Sequence, residues 1–365
     1  MKLALYVSGH GFGHATREAA LLEALDPGGA DRILLRTVAP LGMFGDAGKA
    51  CEPLCDPFDV GMTQASALSV DAPATLSAHR EHLADFDAVV ARERARLTAF
   101  APDAVVSDCG PAPIEAAAAL GVPAFVLGNF TWDWILDEYA RTDPRWRPIV
   151  DRYARAYARA DAYWRLPFHG DETGSFRKIV DFPHLVRRRS LSREETLRSL
   201  GLEPGESRPL VLVSFGGFAA DEFTGADPDG LSEFIFVGFT DPPPGLRATW
   251  IRLPTLSPVS TVDLVAAAGA VIGKLGYGTA AECLVYGTRM LFVPRTRFRE
   301  IGVIERAVAE AGGFRALSRG DFLSGRWRAP LRRLLQTPPP RSQPGDGAER
   351  IAAALAESAI PGKSA

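Results

Sequence analysis

The sequence predicts two α/β domains, each a doubly wound parallel sheet, facing each other across a cleft. Three observations carry this. The 365 residues exceed what one hydrophobic core usually holds. Short apolar runs alternate with helical patterns along most of the chain. Two glycine-rich turns, 9–13 and 273–278, each follow an apolar run and open a helix.

In chain order, residues 3–7 read as a buried strand feeding a glycine turn, and 15–25 as a helix with Leu21, Leu22 and Leu25 on one side. Residues 33–38 read as the second strand, 40–73 as irregular chain and 76–100 as one long amphipathic helix. A strand at 104–108 ends in Asp108. Helix 113–120, strand 123–127, helices 131–139 and 149–159 and strand 162–166 follow. Ser192 and Glu195 form a capping box that starts another helix. Strands at 210–213, 234–237, 249–251, 270–272 and 290–293 build the second sheet, with closing helices at 321–335 and 348–357. The domains are therefore set at 1–190 and 209–340, joined by a linker at 191–208. Residues 341–365 form a C-terminal helix placed to pack back across the cleft.

Composition is globular, with 47% hydrophobic and 23% charged residues. A net charge of −3 offers no basic field for nucleic acid or an anionic membrane. No apolar run reaches membrane length, and the N-terminal one is too short for a signal peptide. Cys51, Cys55, Cys109 and Cys283 lack zinc-site spacing and read as free thiols in a reducing cytosol. A cytoplasmic protein without a transmembrane segment is expected, and a homo-oligomer is compatible with everything here.

The first glycine turn is Ser8-Gly9-His10-Gly11-Phe12-Gly13-His14. A dinucleotide fingerprint needs glycines at its first, third and sixth positions, and His14 takes the sixth. The turn nevertheless offers the free N–H groups and positive dipole of a helix start, and it carries two imidazoles. Either His10 or His14 suits a general base; a histidine that merely caps the helix is the plainer alternative. Asp108 ends a strand on the same rim, where it orients such a base or else caps the turn at Gly110-Pro111.

The second turn, Gly273-Lys274-Leu275-Gly276-Tyr277-Gly278-Thr279, lacks phosphate-loop spacing but has the makings of an anion site. Glycines open the backbone, Lys274 brings charge and Thr279 a hydroxyl. Glu282, one turn on, is placed to accept hydrogen bonds from ribose. Ser214, Gly216 and Gly217 follow the first strand of the second half and present backbone N–H groups toward the same cleft. A tight turn with a solvated lysine and glutamate is the competing account.

Taken together, these motifs resemble the N-terminal glycosyltransferase-like domain of L-arabinokinase and its stand-alone bacterial relatives. The resemblance runs from Tyr6 to Arg17, through Val106-Ser107-Asp108, Gly128 to Asp133, Arg165-Leu166-Pro167 and Phe215-Gly216-Gly217, to Gly273–Glu282 and Phe292 to Arg295. No kinase phosphate loop follows, so sugar kinase activity is not implied. More distantly, the layout is similar to GT-B transferases. That resemblance implies a histidine base, His14 or His10, partnered by Asp108, and a ribose-binding Glu282. The family's acid–amide pair on the donor sugar is matched only by Arg299-Glu300, without the amide.

The expectation is a metal-independent inverting glycosyltransferase that needs no cofactor. Its substrates would be a nucleoside-diphosphate sugar, with UDP the expected nucleotide, and an acceptor hydroxyl. The alternatives are a GT-B-fold sugar-nucleotide epimerase and a non-catalytic nucleotide-sugar sensor. Trp132, Asp133 and Trp134 are candidates for a sugar platform or for core packing. Arg295 and Arg297 are candidates for phosphate contacts.

Overall fold

Strand β1 (Lys2–Val7) is apolar at every position after Lys2 because both faces of its sheet are covered. Its side chains alternate. Ala4 and Tyr6 enter a core under the helices Phe86–Phe100 and Pro111–Leu120, whereas Leu3, Leu5 and Val7 pack under the helix Phe12–Ala24. The computed structural model describes residues 1–358, except 26–28, 30, 67, 171–175, 216–230, 243–245, 247–248, 255–256, 258 and 296–297.

The first sheet adds β2 (Arg32–Arg36), β3 (Glu52–Leu54), β6 (Ala104–Asp108), β7 (Ala124–Gly128), β8 (Ala162–Arg165) and β9 (Ile179–Asp181). Between β3 and β6, β4 (Gln64–Ser66) and β5 (Ser69–Val70) pair as a separate antiparallel hairpin. The sheet order is β3-β2-β1-β6-β7-β8-β9, parallel throughout. The second sheet consists of β10 (Leu210–Ser214), β11 (Ile235–Gly238), β12 (Trp250–Arg252), β13 (Ala270–Lys274), β14 (Arg289–Val293) and β15 (Phe314–Ala316). Its order is β12-β11-β10-β13-β14-β15, again parallel.

In each sheet the chain leaves the first strand in one direction and later returns on its other side. The crevice at the carboxyl ends of β1 and β6, and that of β10 and β13, are therefore topological switch points where such sheets bind ligands. Val7 pairs with Asp108, and Ser8 N–H donates to the Asp108 carbonyl at 2.8 Å, which brings the first glycine turn beside Asp108. Ser214 pairs with Gly273 in the second sheet. A Cβ on Gly273 would stand 2.1 Å from the Ser214 carbonyl oxygen, so only glycine lets these two strand ends converge.

Three expected elements differ. The helix read over 76–100 is two helices, Ala72–Ala84 and Phe86–Phe100, broken at Asp85, whose ψ of 2° leaves the helical range. The break lets Leu76 and Phe86 approach the same core from separate axes. The stretch 40–73 holds the helix Gly45–Lys49, the hairpin and β3, a short polar edge strand in which Pro53 is tolerated. Residues 321–335 form two helices, Arg319–Leu323 and Arg328–Leu335, separated at Gly325, where φ is +68°. The helices Thr261–Ala267 and Ile301–Ala311 and strands β9 and β15 had no counterpart in the sequence reading.

The segment 191–208 contains the helix Arg193–Ser199, started by the complete capping box of Ser192 and Glu195. Its Leu197, with Leu200 just beyond it, joins the core of the second sheet. The helix Gly347–Ser358 returns to the first sheet, where Ala348, Ile351 and Leu355 complete the core around the helix Phe12–Ala24. Among the described residues no helix is long and apolar enough to cross a membrane.

A fully buried ion pair braces the first half. Arg36 on β2 donates through Nε and Nη2 to the two carboxylate oxygens of Glu93, at 3.1 and 2.8 Å. Arg96 and the Tyr6 hydroxyl also donate to Glu93. Arg36 Nη1 reaches the Leu54 carbonyl at 2.9 Å and Asp56 Oδ1 at 2.6 Å, which ties down the start of the loop leading to Asp59.

Candidate active site

His14 lies in the first turn of the helix Phe12–Ala24, which begins at Gly11, where φ is +83°. Its ring points back to the end of β6, and Nδ1 stands 2.9 Å from Asp108 Oδ1. A carboxylate only accepts, so Nδ1 carries the proton and Nε2 of the neutral ring keeps its lone pair. Arg17, three residues on and therefore on the same helix face, donates to the same carboxylate oxygen and to the Asn129 side-chain carbonyl. Its Nη2 sits 3.4 Å from His14 Nδ1 because both converge on one acceptor.

Burial works against ionisation of Asp108, but the charges and hydrogen bonds of Arg17 and His14 prevail and hold its pKa down at about 2. The neighbouring Glu18 behaves oppositely. Burial and the Asp108 charge push its carboxyl well up, against the pull of Arg17, whose Nε donates to Glu18 Oε1 at 3.3 Å. His14, Asp108 and Cys109 bring potential metal-ligand atoms within 4.8 Å of one another. Arg17 already supplies the compensating positive charge there. Burial raises the Cys109 thiol well above its usual range, which keeps it protonated and a poor ligand.

His10 does not share Asp108. Its Nε2 lies 4.0 Å from Asp59 Oδ1, and its ring meets Trp132 edge-on at 6.1 Å. The helix start has no side-chain cap, so neither histidine caps it. Nor does Asp108 cap the following turn; Ser107 Oγ donates to the Gly110 carbonyl instead.

Across the cleft, the helix Tyr277–Tyr286 starts at Gly276, likewise without a side-chain cap. Its free N–H groups and dipole form a positive end. Positions where a Cβ would stand on Gly11, Gly13 or Gly276 have nothing within 4 Å, and at Gly278 only Thr16 Oγ1 lies as near as 4.0 Å. The two glycine turns thus border open space, and the two helix starts approach each other at Gly278 and Thr16. Tyr277 stacks on Phe130 of the first half, with ring centroids 5.7 Å apart. Ser214 and Thr279 are half-buried near this rim. Gly216, Gly217 and Arg297 lie outside the described residues.

Lys274, Arg295 and Glu300 gather beside the second turn. Arg295 Nη1 stands 3.6 Å from Glu300 Oε1, and its guanidinium lies 3.3 Å from the Phe298 ring centroid. Burial and the Arg295 charge bring the Lys274 ammonium down to about 8 despite Glu300. Burial raises the Glu300 carboxyl, opposed by Arg295 and also by His14 and Lys274. His14 therefore acts electrostatically on a carboxylate of the opposite half. Two cations against one carboxylate leave this cluster positive when Lys274 is protonated.

Glu282 faces Arg187, and burial, only partly offset by that guanidinium, raises its carboxyl to about 7. A raised carboxylate pKa means that the folded state holds its proton longer than the unfolded one. Folding stability is then lost as pH rises from about 4.3 through 7. Glu282→Gln is expected to raise Tm at pH 8 but not at pH 4. Melting curves at both pH values check this, and an equal change at both removes the account.

Trp132 and Trp134 are core residues. Trp134 also stacks under Arg299 at 4.3 Å, and Arg299 donates to the Trp134 carbonyl. Arg299 thus clasps the two halves together, whereas Glu300 turns toward the cleft. The roles of Arg17, Glu18, Asn129 and Asp59 had no place in the sequence reading. The i, i+3 spacing of His14 and Arg17 was the available signal.

No family model matches this chain. In sequence it is 31% identical to the L-arabinokinase of Arabidopsis thaliana over 366 residues. That match takes in 98% of this chain and spans about a third, 34%, of the relative. In structure it is similar to Arabidopsis thaliana UGT89C1, with a TM-score of 0.61, 15% identity and coverage of 100% and 96% of the two chains. UGT89C1 is also known in complex with UDP-L-rhamnose, a structure that matches with a TM-score of 0.57, 16% identity and coverage of 98% and 92%. The glycosyltransferase VinC, solved with dTDP, matches with a TM-score of 0.59, 16% identity and coverage of 98% and 95%. By sequence the chain is similar to about one third of L-arabinokinase, and its fold is GT-B, the fold of these solved structures.

Proposed function

We propose that this chain transfers a sugar from a nucleoside diphosphate, UDP by expectation, to an acceptor hydroxyl, with inversion at the anomeric carbon and without a metal. One observation carries the reading. A histidine whose Nδ1 is committed to Asp108 looks, with Nε2 available, toward a cleft whose opposite wall holds Lys274, Arg295 and an uncapped helix start. His14 Nε2 takes the acceptor proton as the acceptor oxygen bonds to the anomeric carbon. The bond from that carbon to the diphosphate oxygen breaks, and the diphosphate leaves with the electron pair. A single displacement inverts the centre. Lys274, Arg295 and the helix start stabilise the leaving charge, which is the work a divalent cation would otherwise do. Glu282 accepts from the ribose hydroxyls, and Ser214 lines the diphosphate. The structures with dTDP and UDP-L-rhamnose support nucleotide sugars as the donor class.

The test is binding. UDP, dTDP and UDP-sugars are expected to raise Tm and to give saturable calorimetric titrations, while AMP does not. No response to any of them rejects the proposal. The Lys274 pKa of about 8 adds a pH signature. Its positive charge is present below that pH and lost above it, so UDP affinity is expected to fall about tenfold between pH 7 and 9. Lys274→Met is expected to bind weakly and to lose this dependence; a parent affinity that is flat with pH removes Lys274 from the site.

A further inference from the structure

Beside the His14–Asp108 pair lies a second polar cluster that the transfer chemistry does not use. Asp59 is buried, and its Oδ2 has no hydrogen-bond partner among the described residues. The same holds for His82 Nε2 and Trp132 Nε1. His10 is the link between these groups. Asp59 and His10 both act electrostatically on His82, His10 stands 4.0 Å from Asp59, and its ring abuts Trp132. Gly61 is required for this arrangement, since a Cβ there would lie 2.2 Å from the His10 ring. His10 is 35% exposed at the cleft rim, so the cluster opens where the first glycine turn does.

A buried polar atom left unpaired is destabilising, so three in one region favour a ligand that pairs with them. Their chemistry specifies that ligand. Asp59 Oδ2 only accepts, Trp132 Nε1 only donates, and His82 does either. Burial lowers the His82 pKa, so that ring is neutral near pH 7. The match is a molecule that presents several groups able both to donate and to accept, as adjacent hydroxyls do. A phosphate would meet the Asp59 carboxylate, and a flat phenol offers a single hydroxyl. We infer that the cluster of His10, Asp59, His82 and Trp132 is the acceptor site and takes an uncharged polyhydroxylated acceptor, a free sugar or polyol. The word acceptor here rests on the transfer reading above; the ligand class rests on the cluster alone.

The experiment titrates the full chain, without donor, with D-glucose, D-xylose and sorbitol, and with glucose 6-phosphate and 4-nitrophenol as contrasts, by saturation-transfer NMR. At least one of the three neutral polyols is expected to bind, and neither contrast compound. Asp59→Asn is expected to weaken that binding by about tenfold, with the UDP affinity unchanged. Trp132→Phe, which keeps the ring and removes only the donor, is a second variant should Asp59→Asn fail to fold. The inference is overturned if no polyol binds, if 4-nitrophenol or the phosphate binds instead, or if the variants bind the polyol as the parent does. UDP binding without polyol binding rejects this inference alone, whereas polyol binding without UDP binding rejects the transfer reading and leaves the polyol site standing.

Discussion

His14→Ala is expected to lower sugar transfer by about 10²–10⁴-fold while leaving UDP affinity within a factor of two, because the general base is lost and the nucleotide wall is untouched. Asp108→Asn should approach the same loss by another route. The amide no longer holds a proton on His14 Nδ1, so the ring is free to adopt the tautomer that blanks Nε2. The two changes converge on one function, so the double variant should lose little more than either single one. Initial-rate transfer assays with saturating donor, together with Tm values that show both proteins folded, decide the matter. Rates within a few-fold of the parent in either variant would remove the pair from the chemistry. Asp108→Asn also strips the counter-charge from Arg17, so its Tm needs to be read beside that of His14→Ala, which keeps the Arg17–Asp108 pair.

The second large effect is on stability. Glu93→Ala is expected to destabilise the chain by about 1–3 kcal/mol, because the buried Arg36 Nε and Nη2 lose their acceptors and Arg36 and Arg96 are left sharing the Asp56 carboxylate alone. Replacing the pair together, as Arg36→Met with Glu93→Leu, should recover part of that loss, since it removes the buried donors that Glu93→Ala leaves unpaired. Urea unfolding monitored by tryptophan fluorescence measures both. A Glu93→Ala midpoint equal to that of the parent would show the network to be idle. Activity should suffer too, because Arg36 ties Asp56 and the Leu54 carbonyl to the root of the loop that carries Asp59.

The fold class was legible because its signals are local. Buried parallel strands read as runs such as 3–7 and 104–108, and glycine turns punctuate the strand–helix joints. What escaped was decided by context. Asp85 interrupts a periodic helix because two packing partners lie in different directions. The edge strand β3 is polar and contains a proline, so nothing in its composition announces a strand. For the site, residue types indicated an imidazole and a carboxylate on one rim, but only the coordinates separate His14, at 2.9 Å from Asp108, from His10, which pairs with Asp59. The pairing of β1 with β6 makes that choice, through a register that the sequence does not print. Arg17 was hidden for a related reason: an arginine in a helix reads as surface until the strand end it reaches is known.

The closing helix Gly347–Ser358 gives the molecule a mechanical property. The polypeptide passes from the first lobe to the second near Leu185 and comes back near Asp346, and those two residues pair as an isolated antiparallel bridge. The lobes are therefore joined by a pair of adjacent threads, so the second lobe is anchored to the first at both of its ends. The return thread ends on the very helix whose first turn holds His14. Shortening the 336–346 segment is therefore expected to strain the packing on that helix and to lower Tm, which a melting curve measures.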